Sequence, residues 1–262
     1  MSNSTKKGGL LVDRILVNYI DFIRSIFGSQ PFELLVYGSF SYRKCSDLDI
    51  CTIVKDYDEK QKNIIAKYTI DLHKKYKLRL DWDVPYYQKT LFSFRDLECA
   101  VGAAPFKSNG IFFNVDPIIA NQEYLASDKM KHRLALNILT TKTETICGGL
   151  KETQEYKKRA WETLIGVILT HNHNHPVDAN VILKNLYRDP VSKKTYKQFL
   201  GYDLRNQQVK KHLSNKLHGV LNRLVSENML ILNEGKISCT YRFMRNLSHN
   251  YERHKGIYGK CN

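Results

Sequence analysis

The stretch V-Y-G-S-F-S-Y-R-K-C-S-D-L-D-I, residues 36–50, sets two acids, Asp47 and Asp49, one residue apart shortly after a Gly-Ser pair. Alternate side chains of an extended chain share a face, so both carboxylates point the same way. Side by side and unpaired, two such groups raise one pKa and cost stability. The plain alternative is a solvent-facing edge strand. A divalent cation between the acids removes the penalty, and Mg²⁺ takes one or two carboxylates together with substrate phosphates. Gly38 and Ser39 supply the complementary half. A glycine lets backbone N–H groups close on an anion, a following helix N-terminus favours phosphate, and Ser39 adds a hydroxyl. Acids for a metal beside a cradle for phosphate make a site for a nucleoside triphosphate.

A second acidic face occurs in L-R-L-D-W-D-V-P-Y, residues 78–86, where Leu78, Leu80, Trp82 and Val84 alternate with Arg79, Asp81 and Asp83. That period predicts a half-buried strand. Other chemistry-bearing residues read more plainly. The cysteines at 45, 51, 99, 147, 239 and 261 include no C-x-x-C pair and read as buried free thiols, neither a zinc framework nor a disulfide scaffold. His171, His173 and His175 in H-N-H-N-H-P have no Cys or acid cluster beside them to complete a metal site, and read as a polar turn ending at Pro176.

The chain has 262 residues, 42% apolar and 26% charged, a globular composition with room for one large domain or two ordinary ones. It has no run of about 18 apolar residues, so no membrane span or membrane partner is expected. Its N-terminus lacks a signal-peptide apolar core before Asp13 and Arg14, which predicts a cytoplasmic protein. The net charge of +15 is uneven. Residues 1–125 carry 17 Lys+Arg against 15 Asp+Glu, whereas residues 126–262 carry 24 against 11, a net of +13. That excess predicts a polyanionic partner for the second half.

These residues need a scaffold, and its outline is periodic. Leu11, Ile15, Tyr19, Phe22 and Ile26 form a stripe over 10–27, predicting a helix stopped at Gly28. E-L-L-V-Y (33–37) predicts a buried strand ending at Gly38, and a further strand runs from Asp47 through I-C-T-I-V (50–54). Ile64, Ile65, Tyr68 and Leu72 place a helix over 58–76, and I-F-F-N-V (111–115) predicts another strand. From about 126 the pattern becomes helical, beginning at a cap on Ser127 or Asp128. The expectation is an α+β chain with a mixed, helix-flanked sheet in 1–125 and a mostly helical, basic domain in 126–262.

The run Y-G-S-F-x-n-S-D-L-D-I resembles the signature of the DNA polymerase β-like nucleotidyltransferase superfamily. That group includes poly(A) polymerases, tRNA CCA-adding enzymes and antibiotic adenylyltransferases. The resemblance is close over 36–50 and looser through about 86. It implies a nucleotidyltransferase fold, an NTP substrate, and two Mg²⁺ or Mn²⁺ ions held by Asp47, Asp49 and a third carboxylate on a neighbouring strand. Asp81 fits the family's apolar–Asp–apolar context; Asp83 is the alternative. Asp81 would accept the acceptor hydroxyl's proton, and Gly38 and Ser39 would hold the triphosphate. Arg43 and Lys44 would touch phosphate or face water. The seven residues 40–46 make a shorter spacer than in many members.

In the last hundred residues, helices at 157–170, 177–187 and 207–229 precede a hairpin turning at Asn233-Glu234-Gly235-Lys236. This order resembles a winged helix. Lys210, Lys211, Lys216 and Arg223 lie on its third helix, and Lys193, Lys194, Lys197 and Arg205 on the stretch before it. The implied reaction moves a nucleoside monophosphate from an NTP to a hydroxyl, an RNA or tRNA 3′ end, releasing pyrophosphate. The alternatives are nucleotidylylation of a small molecule or protein, or a catalytically degenerate nucleic-acid-binding subunit.

Overall fold

The computed structural model describes residues 3–37, 47–80, 85–103, 128–140, 143–171, 175–186, 198–199, 202–203 and 207–258. The chain is α+β, with a mixed four-stranded sheet flanked by helices. It divides into two compact units, Met1–Leu97 with Gln122–Gln154, and Glu98–Asn121 with Glu155–Asn262.

The first unit opens with helix α1, Asn3–Phe27. Its fully buried stripe is Val12, Ile15, Tyr19 and Ile23, about one position off the expected one, and Leu11, Phe22 and Ile26 pack on its flank. Gly28, at φ +58°, ends the helix with its N–H on the Arg24 carbonyl at 2.8 Å; left-handed φ favours glycine. Strands β1 (Phe32–Val36) and β2 (Ile50–Val54) pair antiparallel, in register from Phe32↔Val54 to Val36↔Ile50. Every residue of β2 is buried, as its unbroken apolar run requires. Helix α2 (Glu59–Lys75) starts from a capping box between Asp58 and Gln61. A helical turn α3 (Tyr86–Lys89), a short strand β3 (Leu91–Ser93) parallel to β2, helix α4 (Phe94–Glu98), helix α5 (Asp128–Thr140) and strand β4 (Glu144–Cys147) follow. The sheet order is β3-β2-β1-β4.

Buried polar side chains in this unit are partnered across long sequence distances. Glu33 of β1 accepts from Thr145 Oγ1 at 2.9 Å and from the Leu150 N–H at 3.1 Å, clamping β4. Lys131 of α5 donates to the Tyr57 hydroxyl and lies 3.6 Å from Asp96, whose carboxylate also accepts from Ser93. Burial pulls the Lys131 ammonium below its ordinary pKa, and Asp96 opposes that pull.

In the second unit, helix α6 (Lys151–His171, in this unit from Glu155) leads to strand β5 (Val177–Asp178) and helix α7 (Ala179–Leu186). A two-residue pair, β6 (Gln198–Phe199) and β7 (Tyr202–Asp203), precedes helix α8 (Gln207–Ser226). The hairpin β8 (Leu230–Asn233) and β9 (Lys236–Cys239) completes an antiparallel sheet of order β5-β9-β8, and helix α9 (Tyr241–Tyr258) ends the described chain. The hairpin turns at the expected place, with Glu234 and Gly235 both at positive φ, the geometry that matches strand twist. Glu98 and Arg159, both buried, form a two-pronged ion pair at 2.7 and 2.5 Å.

Several expectations are corrected. Strand β2 begins at Ile50, not Asp47, because the Ile50 N–H turns back to the Leu48 carbonyl at 3.1 Å. Residues 78–80 are not in a strand, and Tyr86 opens a helical turn instead of closing one. Residues 81–84 of that predicted strand, the 111–115 strand and the Ser127 cap lie outside the described residues, as does the centre of the H-N-H-N-H-P turn, 172–174. Cys51, Cys147 and Cys239 are free, but Cys99 is disulfide-bonded.

Two substitutions test this packing by urea denaturation. A Cβ at Gly148 (φ +84°) would lie 2.0 Å from the Phe32 carbonyl oxygen, so Gly148→Ala is expected to cost about 2 kcal/mol or more. Glu98→Ala strands the buried Arg159 charge and is expected to cost about 3–5 kcal/mol.

Candidate functional site

The site is built on the edge between the end of β1 and the start of β2. Leu48 is fully buried, and Asp47 and Asp49 on either side of it are half-buried. They sit on a bend entering the strand. Three backbone bonds hold this bend. The Leu48 N–H donates to Nε2 of His73 at 2.9 Å, the Leu48 carbonyl accepts from Ile50, and the Asp49 carbonyl accepts the Tyr37 N–H at 2.8 Å. The last of these ties the acid pair to the residue immediately before Gly38.

Gly38, Ser39, Arg43, Lys44, Asp81 and Asp83 lie outside the described residues, so of the expected set only Asp47 and Asp49 are described. Among the described residues no group of three His, Cys, Asp or Glu side chains is placed to hold a metal. By donor chemistry alone, the carboxylates of Asp47 and Asp49 are hard oxygen ligands of the kind Mg²⁺ or Mn²⁺ takes, with other ligands completing the sphere. Both ends of the segment carrying Asp81 and Asp83 are described. Leu78 gives its N–H to the His73 carbonyl at 2.8 Å, and the Tyr86 ring meets the His73 imidazole edge-on at 5.0 Å. Lys89, also buried, lies over the opposite partner of that contact, 4.6 Å from the Tyr86 ring centre.

Sequence reasoning missed His73 and Lys89. A usable signal existed for the histidine. It occupies a position four residues after Thr69 and eight after Ile65, on the buried stripe of α2, where a polar side chain demands a partner.

The second candidate surface is α8 in the other unit. Leu213, Leu217, Leu221 and Leu224 are buried, which turns Lys211, Asn215, His218 and Asn222 outward at spacings of four, three and four. No acid occurs anywhere in Gln207–Ser226. Of the helix's other expected phosphate-facing cations, Lys216 is exposed and Lys210 is half-buried. Arg223 departs from that expectation: its guanidinium is held by Glu162 at 3.1 Å and Glu227 at 3.2 Å. Lys193, Lys194, Lys197 and Arg205 lie outside the described residues. No described helix is long and apolar enough to cross a membrane.

No protein-family model, curated protein or solved structure matches the chain. The chemistry of the two surfaces therefore carries the functional reading.

Burial raises the Glu162 carboxyl above its ordinary 4.5, and Arg223 works against that rise. In Arg223→Ala the folded-state pKa rises further, so the folded state holds its proton more tightly than the unfolded chain. Stability contributed by that proton is present below the unfolded pKa and lost as pH climbs through the folded one. The variant is expected to lose about 1–3 kcal/mol at pH 8 and less near pH 4.5, read from denaturation midpoints at both.

Proposed function

We propose that the chain is a metal-dependent nucleotidyltransferase that moves a nucleoside monophosphate from an NTP to a hydroxyl at the 3′ end of an RNA or tRNA. One observation carries this reading. Asp47 and Asp49 are both half-buried on either side of buried Leu48, on a bend bonded to the residue that launches Gly38-Ser39. Strand, Gly-Ser, short spacer, Asp-Leu-Asp and strand follow in the order of the polymerase β-like superfamily.

In this reading Asp47 and Asp49, with Asp81 or Asp83, hold Mg²⁺ or Mn²⁺. The ions, when bound, neutralise phosphate charge and make the acceptor hydroxyl more acidic. The chain's own residues do the rest. Gly38 and Ser39 hold the triphosphate through backbone and hydroxyl donors, with Arg43 and Lys44 beside them. Asp81 takes the proton from the acceptor hydroxyl. That oxygen bonds to the α-phosphorus as the bond to pyrophosphate breaks, and pyrophosphate leaves.

The second unit reads as a winged helix. Its order of helix α6, strand β5, helix α7, the β6-β7 pair, helix α8 and hairpin, with sheet order β5-β9-β8, supports that reading. The outward side of α8 presents Lys211, Lys216, Asn215, His218 and Asn222, donors and acceptors for phosphates and base edges. The exposed hairpin is its wing.

The test is incubation with each labelled NTP, Mg²⁺ or Mn²⁺, and total cellular extract. Label is expected in RNA, and Asp49→Asn should lower incorporation by about 10³-fold or more while the fold persists, since several kcal/mol of charge stabilisation disappears. Label in protein or a small molecule would overturn the acceptor, and full activity in Asp49→Asn would overturn the site. RNA affinity is expected to fall by roughly 10³-fold between 50 and 200 mM salt if six or more phosphates are contacted. A flat salt response would remove RNA as the partner.

A further inference from the structure

The bend that carries Asp47 and Asp49 is held by a side chain from elsewhere in the unit. His73 is fully buried near the end of α2. Its Nε2 accepts the Leu48 N–H at 2.9 Å, so that nitrogen carries no proton. Its Nδ1 lies 2.8 Å from the Thr69 carbonyl, a contact that requires Nδ1 to donate. Together the two bonds fix the neutral Nδ1–H tautomer. The same residue holds two further points. Its backbone carbonyl takes the Leu78 N–H at 2.8 Å, and its ring packs against Tyr86.

The geometry points to His73 as the positioning residue of the bend that carries Asp47 and Asp49. It holds the amide between them. This rests on reading Asp47 and Asp49 as metal-holding. His73 touches no reacting atom; it acts through Leu48. An aliphatic side chain would fill the same space but leave the buried Leu48 N–H without an acceptor. The bend would then turn to satisfy that amide, and both carboxylates would turn with it.

The test is an Mn²⁺ titration of the full chain by calorimetry, on wild type, His73→Met and His73→Gln. Methionine fills the space with no comparable acceptor, whereas the glutamine oxygen reaches about where Nε2 sits. His73→Met is expected to weaken Mn²⁺ binding about 10- to 100-fold, the usual cost of losing a group that orients a ligand, and His73→Gln to restore most of it. A residue that only filled the core would change the melting temperature and leave ion affinity alone. If wild type binds Mn²⁺ and His73→Met binds it equally well, the role of His73 is overturned while the metal site stands. If wild type binds none, or Asp47→Asn and Asp49→Asn bind like wild type, the metal reading falls and this inference falls with it. Hydrogen exchange at the Leu48 amide of the wild type adds a measurement independent of any variant's folding. Protection comparable to that of β2 is expected, and exchange as fast as in an exposed loop would overturn the assignment.

Discussion

The burial of one leucine governs the front of the first unit. Leu48 contributes a full apolar side chain to the core, worth about 2 kcal/mol of transfer free energy. Asp47 and Asp49, on either side of it, are left half-buried on a bend held by backbone hydrogen bonds. Hydrophobic burial thus decides which residue of the three goes inside.

A second theme is how the unit satisfies the polar groups that this arrangement buries. Glu33, Lys131 and His73 all occupy buried positions, and each finds partners far away in sequence: Thr145 and Leu150, Tyr57 and Asp96, and Leu48. Each bond ties one secondary element to another. An unpaired buried donor or acceptor costs more than a satisfied one returns, so such pairs specify one arrangement of the elements over others. His73 differs from the other two because its partner is the backbone between the acids.

In the second unit the leucines of α8 do what Leu48 does in the first. Leu213, Leu217 and Leu221 recur every four residues, and the polar face opposite is fixed by them. The basic surplus of that half is not all available to a partner. Arg159 is enclosed with Glu98, and Arg223 bridges Glu162 and Glu227. The outward face of α8 keeps lysines, amides and a histidine. Ile231 and Leu232 of the hairpin, each just over half exposed (52% and 54%), add an apolar edge.

Local pattern was enough for α1, α2, α8, the unbroken apolar strand β2 and the hairpin turn at Glu234-Gly235, because period, caps and turn residues act over a few positions. It also supplied the Asp-Leu-Asp alternation, since that depends only on which residue is apolar. It did not supply β3, β4 or β5, strands of two to four residues whose existence rests on a neighbour to pair with. Nor did it show that Leu78–Leu80 stays out of a strand despite perfect alternation, that Arg223 faces an acid and not water, or that Cys99 is oxidised. Those outcomes depend on contacts between residues tens of positions apart. His73 shows the divide most clearly. Its place on a buried stripe could be read from α2 alone, but only the folded chain brings Leu48 to its ring, 25 residues away.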